Sequence, residues 1–81
     1  MYYYKIDLID PEEDSNGFAC CVSCDSPLTD DEAIEASIAV GEFDRDTLSE
    51  YDVVVTDITK DDDELYQFKD IAEHFDNSSS N

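Results

Sequence analysis

The chain has 81 residues and carries 23 Asp and Glu against 4 Lys and Arg, a formal net charge of -19 at pH 7. Acidity on this scale usually accompanies disorder, yet 41% of the residues are hydrophobic, with five Tyr and four Phe, so a core is within reach. The charge excludes nucleic acid and anionic membrane surfaces as direct ligands, and no run approaches the roughly 20 apolar residues of a membrane span.

Residues 2–9 alternate Tyr2, Tyr4, Ile6 and Leu8 with Tyr3, Lys5, Asp7 and Ile9, the pattern of a strand. A polar connection from Asp10 to Asn16 ends at Gly17, and residues 17–24 form a second strand. It places Phe18, Cys20, Val22 and Cys24 on one face and Ala19, Cys21 and Ser23 on the other. The short connection predicts antiparallel pairing. Thr29 with Glu32 three residues later is a capping box, opening a helix that runs to Val40, with Gly41 as the stop. Ile34 and Ile38 lie one turn apart on it, flanked by Ala33, Ser37 and Val40. Residues 42–50 suggest a turn or short helix anchored by Phe43 and Leu48.

Tyr51 to Thr59 is the strongest strand, and Val53-Val54-Val55 predicts a central position or cover on both faces. Lys60 to Glu64 opens a last helix, in which Leu65, Phe68, Ile71, Ala72 and Phe75 recur at helical spacing. The expected fold is α+β in the order β-β-α-β-α, a three-stranded sheet packed by two helices. It forms one domain over residues 1–76, followed by a flexible polar tail at 77–81.

Helix dipoles account for some of the acids. Asp30, Asp31 and Glu32 fall in the first turn of one helix and Asp61 to Glu64 in that of the other, where negative charge is favoured. On a helical wheel, Asp63, Tyr66, Asp70 and Glu73 lie opposite the apolar stripe of the last helix. Glu73 and Asp76 would stand in its last turn, where the dipole disfavours anions. Like charges three or four residues apart also cost stability. An interaction explains that placement better than solvation does. Acids also occur outside both helix starts, among them Glu12, Glu13, Asp25, Glu35, Glu42, Asp44, Asp46, Glu50, Asp52 and Asp57. The expected partner-binding residues are Asp63, Tyr66, Asp70 and Glu73, together with Asp31, Glu35, Asp44 and Asp46. Duplex DNA carries one charge per about 1.7 Å of axis, so this net charge matches roughly one helical turn.

Other chemistry finds little support. Cys21-x-x-Cys24 has the spacing of half a zinc site, but the chain has no second such pair and His74 is its only histidine. In an extended strand the two thiols stand too far apart for a disulfide. Small residues filling a sheet face are the expected role. The stretch Asp10 to Ser15 has Ser where a calcium loop needs Gly. No phosphate loop or nucleophile elbow is present. No metal, cofactor or catalytic residue is expected.

Small size, extreme acidity and an ordered α+β pattern together resemble phage-encoded DNA-mimic inhibitors: acidic anti-CRISPR proteins, anti-restriction proteins and inhibitors of uracil-DNA glycosylase. The resemblance is one of type over the whole chain and rests on no motif. It implies a stoichiometric inhibitor of the nucleic-acid groove of a CRISPR effector or restriction nuclease. Two other classes stand beside it. An acidic adaptor would bind a basic protein without imitating nucleic acid. A halophile surface fits poorly with three cysteines and Arg45 as the sole arginine. With an odd number of crowded cysteines and no signal-peptide pattern, the expected location is a reducing cytoplasm, that of the host for a phage protein.

Overall fold

The computed structural model describes residues 1–13 and 15–75. In chain order they form β1 (Tyr2–Asp10), β2 (Ser15–Cys24), α1 (Asp30–Ala39), α2 (Arg45–Ser49), β3 (Asp52–Asp57), α3 (Asp62–Phe68) and β4 (Glu73–His74). The fold is α+β, and among the described residues the sheet is mixed, with strand order β3-β1-β2-β4. It therefore has four strands where three were expected, and three helices where two were. The expected tail at 77–81 lies outside the described residues.

The alternation in β1 sets the architecture. Tyr4, Ile6 and Leu8 are buried on one face, while Tyr3, Lys5 and Asp7 are half-buried on the other. β1 pairs antiparallel with β2, with a register shift between Leu8 and Ile9, and antiparallel with β3 on its other side. Cross-strand partners share a face, so Cys20, Val22 and Cys24 join Tyr4 and Ile6, whereas Cys21 joins Lys5. β3 is an edge strand, contrary to the central position expected. Val53 and Val55 face the core beside Leu8 and Ile6, but Val54 on the opposite face remains 41% exposed. Asp52 and Asp57 sit at its two ends, where charge discourages further edge pairing.

α1 covers the Tyr4–Ile6 face. Its capping box is formed: the Thr29 hydroxyl accepts from Glu32 N, and Glu32 Oε1 accepts from Thr29 N at 2.9 Å. At its other end Gly41, at φ +86°, donates to Ile38 O, and Glu42 N donates to Ser37 O. That is the left-handed cap a glycine favours. The inward residues are Ala33, Ala36 and Ser37, all at 0% exposure, and not the Ile34 and Ile38 pair, which is half-buried. Small side chains let the helix approach bulky Tyr4, Ile6 and Val22 closely. The buried Ser37 hydroxyl is satisfied by donating to Ile34 O at 2.6 Å. α2 confirms the short helix anchored by Leu48, which is buried.

α3 lies on the other face. Lys5, which points there, sits 3.3 Å from Glu64 and 5.1 Å from the Phe68 ring centre. The helix ends at Phe68 and does not continue to Phe75 as its apolar spacing predicted. The chain instead turns through residues 69–72 and adds β4 parallel to β2. Phe75 N then donates to Ser23 O at 2.8 Å, and Phe75 packs against the α1-side core. Phe68 and Phe75 thus serve opposite faces of the sheet, which one straight helix cannot reach. The chain has to pass the sheet edge, and the unpaired backbone of β2 holds it there. Among the described residues, no helix is long and apolar enough to cross a membrane.

Candidate functional site

The predicted stripe Asp63, Tyr66, Asp70 and Glu73 is not assembled. Asp63 and Tyr66 share α3 and are exposed, Tyr66 at 75%, but Asp70 lies in the turn that follows and Glu73 on β4. Pairing of Glu73 with Val22 places it on the α1 side of the sheet, away from α3. The dipole argument that singled out Glu73 therefore fails, because no helix reaches it. Lys69 Nζ stands 5.5 Å from the Tyr66 ring centre and offsets part of the α3 charge locally.

The second predicted group is linked through one ion pair. Asp31 and Glu35 stand one turn apart on the outer side of α1, both exposed. Arg45 Nη2 donates to Glu35 Oε2 at 2.6 Å and so ties the start of α2 to α1. Asp44 and Asp46, the chain neighbours of Arg45, are both exposed. Asp44 caps α2, accepting from Thr47 N at 3.0 Å. Hydrogen bonds from the Thr47 hydroxyl and backbone hold its carboxyl below the usual range. Asp44 is thus a structural residue, whereas the carboxylates of Asp31 and Asp46 carry no hydrogen bond or ion pair among the described residues.

Beside this acidic band lies a cleft of about 240 Å³ lined by Leu28, Asp31, Glu32, Glu35 and Phe75. Its floor is apolar and is held by the sheet. Leu28 N donates to the Tyr4 hydroxyl at 2.8 Å, and Phe75 is held by its bond to Ser23 O. Its rim is the first turns of α1. The sequence singled out Asp31 and Glu35 but not Leu28, Glu32 or Phe75. Glu32 was legible as a capping residue. Phe75 had been placed on a helical stripe, and nothing local shows that it meets Leu28.

The thiols are closed to chemistry. Cys20, Cys21 and Cys24 are free and at most 3% exposed. Burial pushes the Cys20 thiol up to about 12, with the Glu42 carboxylate adding to the effect, and pushes Cys21 up to about 11. Cys21 and Cys24 stand on opposite faces of the sheet, so they cannot converge on one ion. Among the described residues no group of three or more His, Cys, Asp and Glu is placed to hold a metal.

The cations are largely committed. Lys5 lies under α3 between Asp7 and Glu64, Arg45 pairs with Glu35, and Lys69 stands over Tyr66. Among the described residues, ion pairs engage Asp7, Glu35 and Glu64, and the other carboxylates carry their charge unpaired. The arrangement is suited to receiving positive charge over a wide area, with one apolar-floored recess within it. Comparison with protein-family models, curated proteins and solved structures finds no match to this chain.

Proposed function

We propose that this protein is an acidic nucleic-acid mimic that binds the basic groove of a nucleic-acid-binding protein, such as a CRISPR effector or restriction nuclease, and excludes its ligand. The observation that carries this reading is a folded domain with unpaired carboxylates on both sides of its sheet. Asp31 on α1 and Asp62 and Asp63 on α3, the helices of opposite faces, are exposed, as are Asp44 and Asp46 around α2. Such a surface costs stability through self-repulsion, and solubility alone needs a net charge of only about 2–8. The molecule measures 37 × 33 × 19 Å, so its long axis is close to one turn of duplex, about 34–36 Å. Long-range attraction to a basic groove gives fast association that slows with salt.

The cleft beside α1 favours a second reading. An apolar floor has no counterpart in a phosphate backbone and suits an adaptor that grips a basic protein without imitating nucleic acid. The two readings separate in a competition assay. A partner identified by affinity capture is titrated with this protein in the presence of its cognate DNA or RNA. Mutually exclusive binding is expected. Simultaneous, independent binding would reject mimicry and leave the adaptor.

A further inference from the structure

We infer that the cleft lined by Leu28, Asp31, Glu32, Glu35 and Phe75 receives one arginine side chain of the basic partner. We further infer that Arg45, through its ion pair with Glu35, competes for one of the cleft's carboxylates in the free protein. The inference rests on the reading above in one respect, that the partner is basic.

The shape of the cleft limits the occupant. At about 240 Å³ it is smaller than the roughly 300–1,000 Å³ of pockets for drug-sized ligands. One extended side chain is enough to fill it. The chemistry of the lining sets the charge. Three carboxylates on the rim repel phosphates and other anions. Asp31 is unpaired among the described residues, Glu32 has one oxygen committed to Thr29 N, and Glu35 accepts from Arg45. The floor distinguishes between cations. Leu28 and Phe75 offer an aliphatic surface and an aromatic ring, both half-buried. A guanidinium is flat, weakly hydrated, always charged, and able to stack on a ring while its edges donate to carboxylates. A lysine ammonium is compact and strongly hydrated, and it loses more on entering such a recess.

Arg45 supports the same assignment. Its side chain is 70% exposed, yet its guanidinium meets Glu35 at 2.6 Å. One carboxylate of the lining, Glu35, is thus already paired with a guanidinium from its own chain, although Arg45 itself does not line the cleft. A partner arginine either uses Asp31 and Glu32 beside it or displaces Arg45 from Glu35.

The test needs no identified partner. The full chain is titrated with N-acetyl-arginine amide and followed by heteronuclear NMR, with the lysine and uncharged citrulline amides in parallel. The largest shift changes are expected at Leu28, Asp31, Glu32, Glu35 and Phe75, with arginine bound more tightly than lysine and citrulline not bound. Asp31→Asn, at an exposed site, should weaken binding by roughly two- to fivefold, as for one partly exposed ion pair. Phe75→Leu keeps an apolar floor and should erase the preference for arginine over lysine. Arg45→Ala should strengthen binding more than Lys60→Ala, which removes an equal charge elsewhere. Shift changes as large at Asp61–Asp63 as in the cleft would overturn the proposal. So would citrulline binding as well as arginine, or an identical response to Arg45→Ala and Lys60→Ala. No nucleic acid enters this experiment, so its failure is distinct from failure of the competition assay.

Discussion

α1 meets its face of the sheet through Ala33, Ala36 and Ser37, each fully buried, whereas α3 contributes no buried residue, its Leu65 and Phe68 being only half-buried. Both helices start with a run of acids and neither has a basic residue in its last turn. The difference therefore does not come from charge. α1 is ten residues long with a capping box at one end and a glycine cap at the other, and its small inward residues bring it onto Tyr4, Ile6 and Val22. α3 is seven residues long and is held through Lys5, which links Glu64, Asp7 and the Phe68 ring. One helix is seated by its own buried side chains, whereas the other buries none and is tied to its face in part by one cation, Lys5. In a molecule this acidic, the second kind of seam is the more sensitive to solution conditions.

The largest effect is expected at the packed seam. Ile6→Ala, at a fully buried position, should cost about 2–5 kcal/mol in urea unfolding. Leu65→Ala should cost less than half as much, because Leu65 is already partly in water. Equal costs would mean that α3 belongs to the main core and that the two seams are alike.

Lys5→Ala tests the cation directly. It leaves Asp7, whose Oδ1 is buried without a hydrogen-bond partner, without its nearby ammonium. A loss of about 1–3 kcal/mol is expected. Amide hydrogen exchange should accelerate across α3 and β4 while α1 keeps its protection. Uniform acceleration over both helices would show that the two seams open together.

Salt provides a milder perturbation. Raising sodium chloride from about 0.15 M to about 1 M shortens the screening length from about 8 Å to about 3 Å. The melting temperature should rise as self-repulsion is screened. The Lys5 links on the α3 side are screened as well, so α1 protection should gain more than α3 protection. A melting temperature that falls or stays level with salt would contradict a self-repelling native state.

The smallest effect concerns the thiols. Cys20 lies on the α1 face and Cys21 on the α3 face, and both are held protonated, near 12 and 11 against an ordinary value of 9.0. Because the folded values are raised, their contribution to stability is complete below about pH 9 and is lost as pH rises toward 11–12. At pH 8, in variants retaining one of these thiols with Ala at the other cysteine positions, Cys21 should label before Cys20, through local opening of α3. Labelling of Cys20 first would reverse the assignment of the weaker seam.

How far the sequence reaches depends on the range of each signal. The alternation of Tyr4, Ile6 and Leu8, the Thr29–Glu32 cap and the Gly41 stop are contained within a few residues, and each stands in the fold as read. The net charge is likewise a property of the chain itself, as is the exposure of most acids, because an unpaired carboxylate remains in water in any fold. Which acids become neighbours was not legible. The Asp63, Asp70 and Glu73 stripe depended on a helix continuing through Phe75, and a hydrogen bond between residues 75 and 23 ended that possibility. Edge pairing of this kind draws on backbone groups that every residue carries, so it leaves no mark in the local sequence. The same step turned Phe75 from a stripe residue of α3 into the floor of a cleft beneath α1. The sequence by itself determined that this protein would be folded, acidic and built on a sheet. The tertiary structure decided where the acids gather, because only the assembled sheet brings Leu28, Asp31, Glu35 and Phe75 to one place.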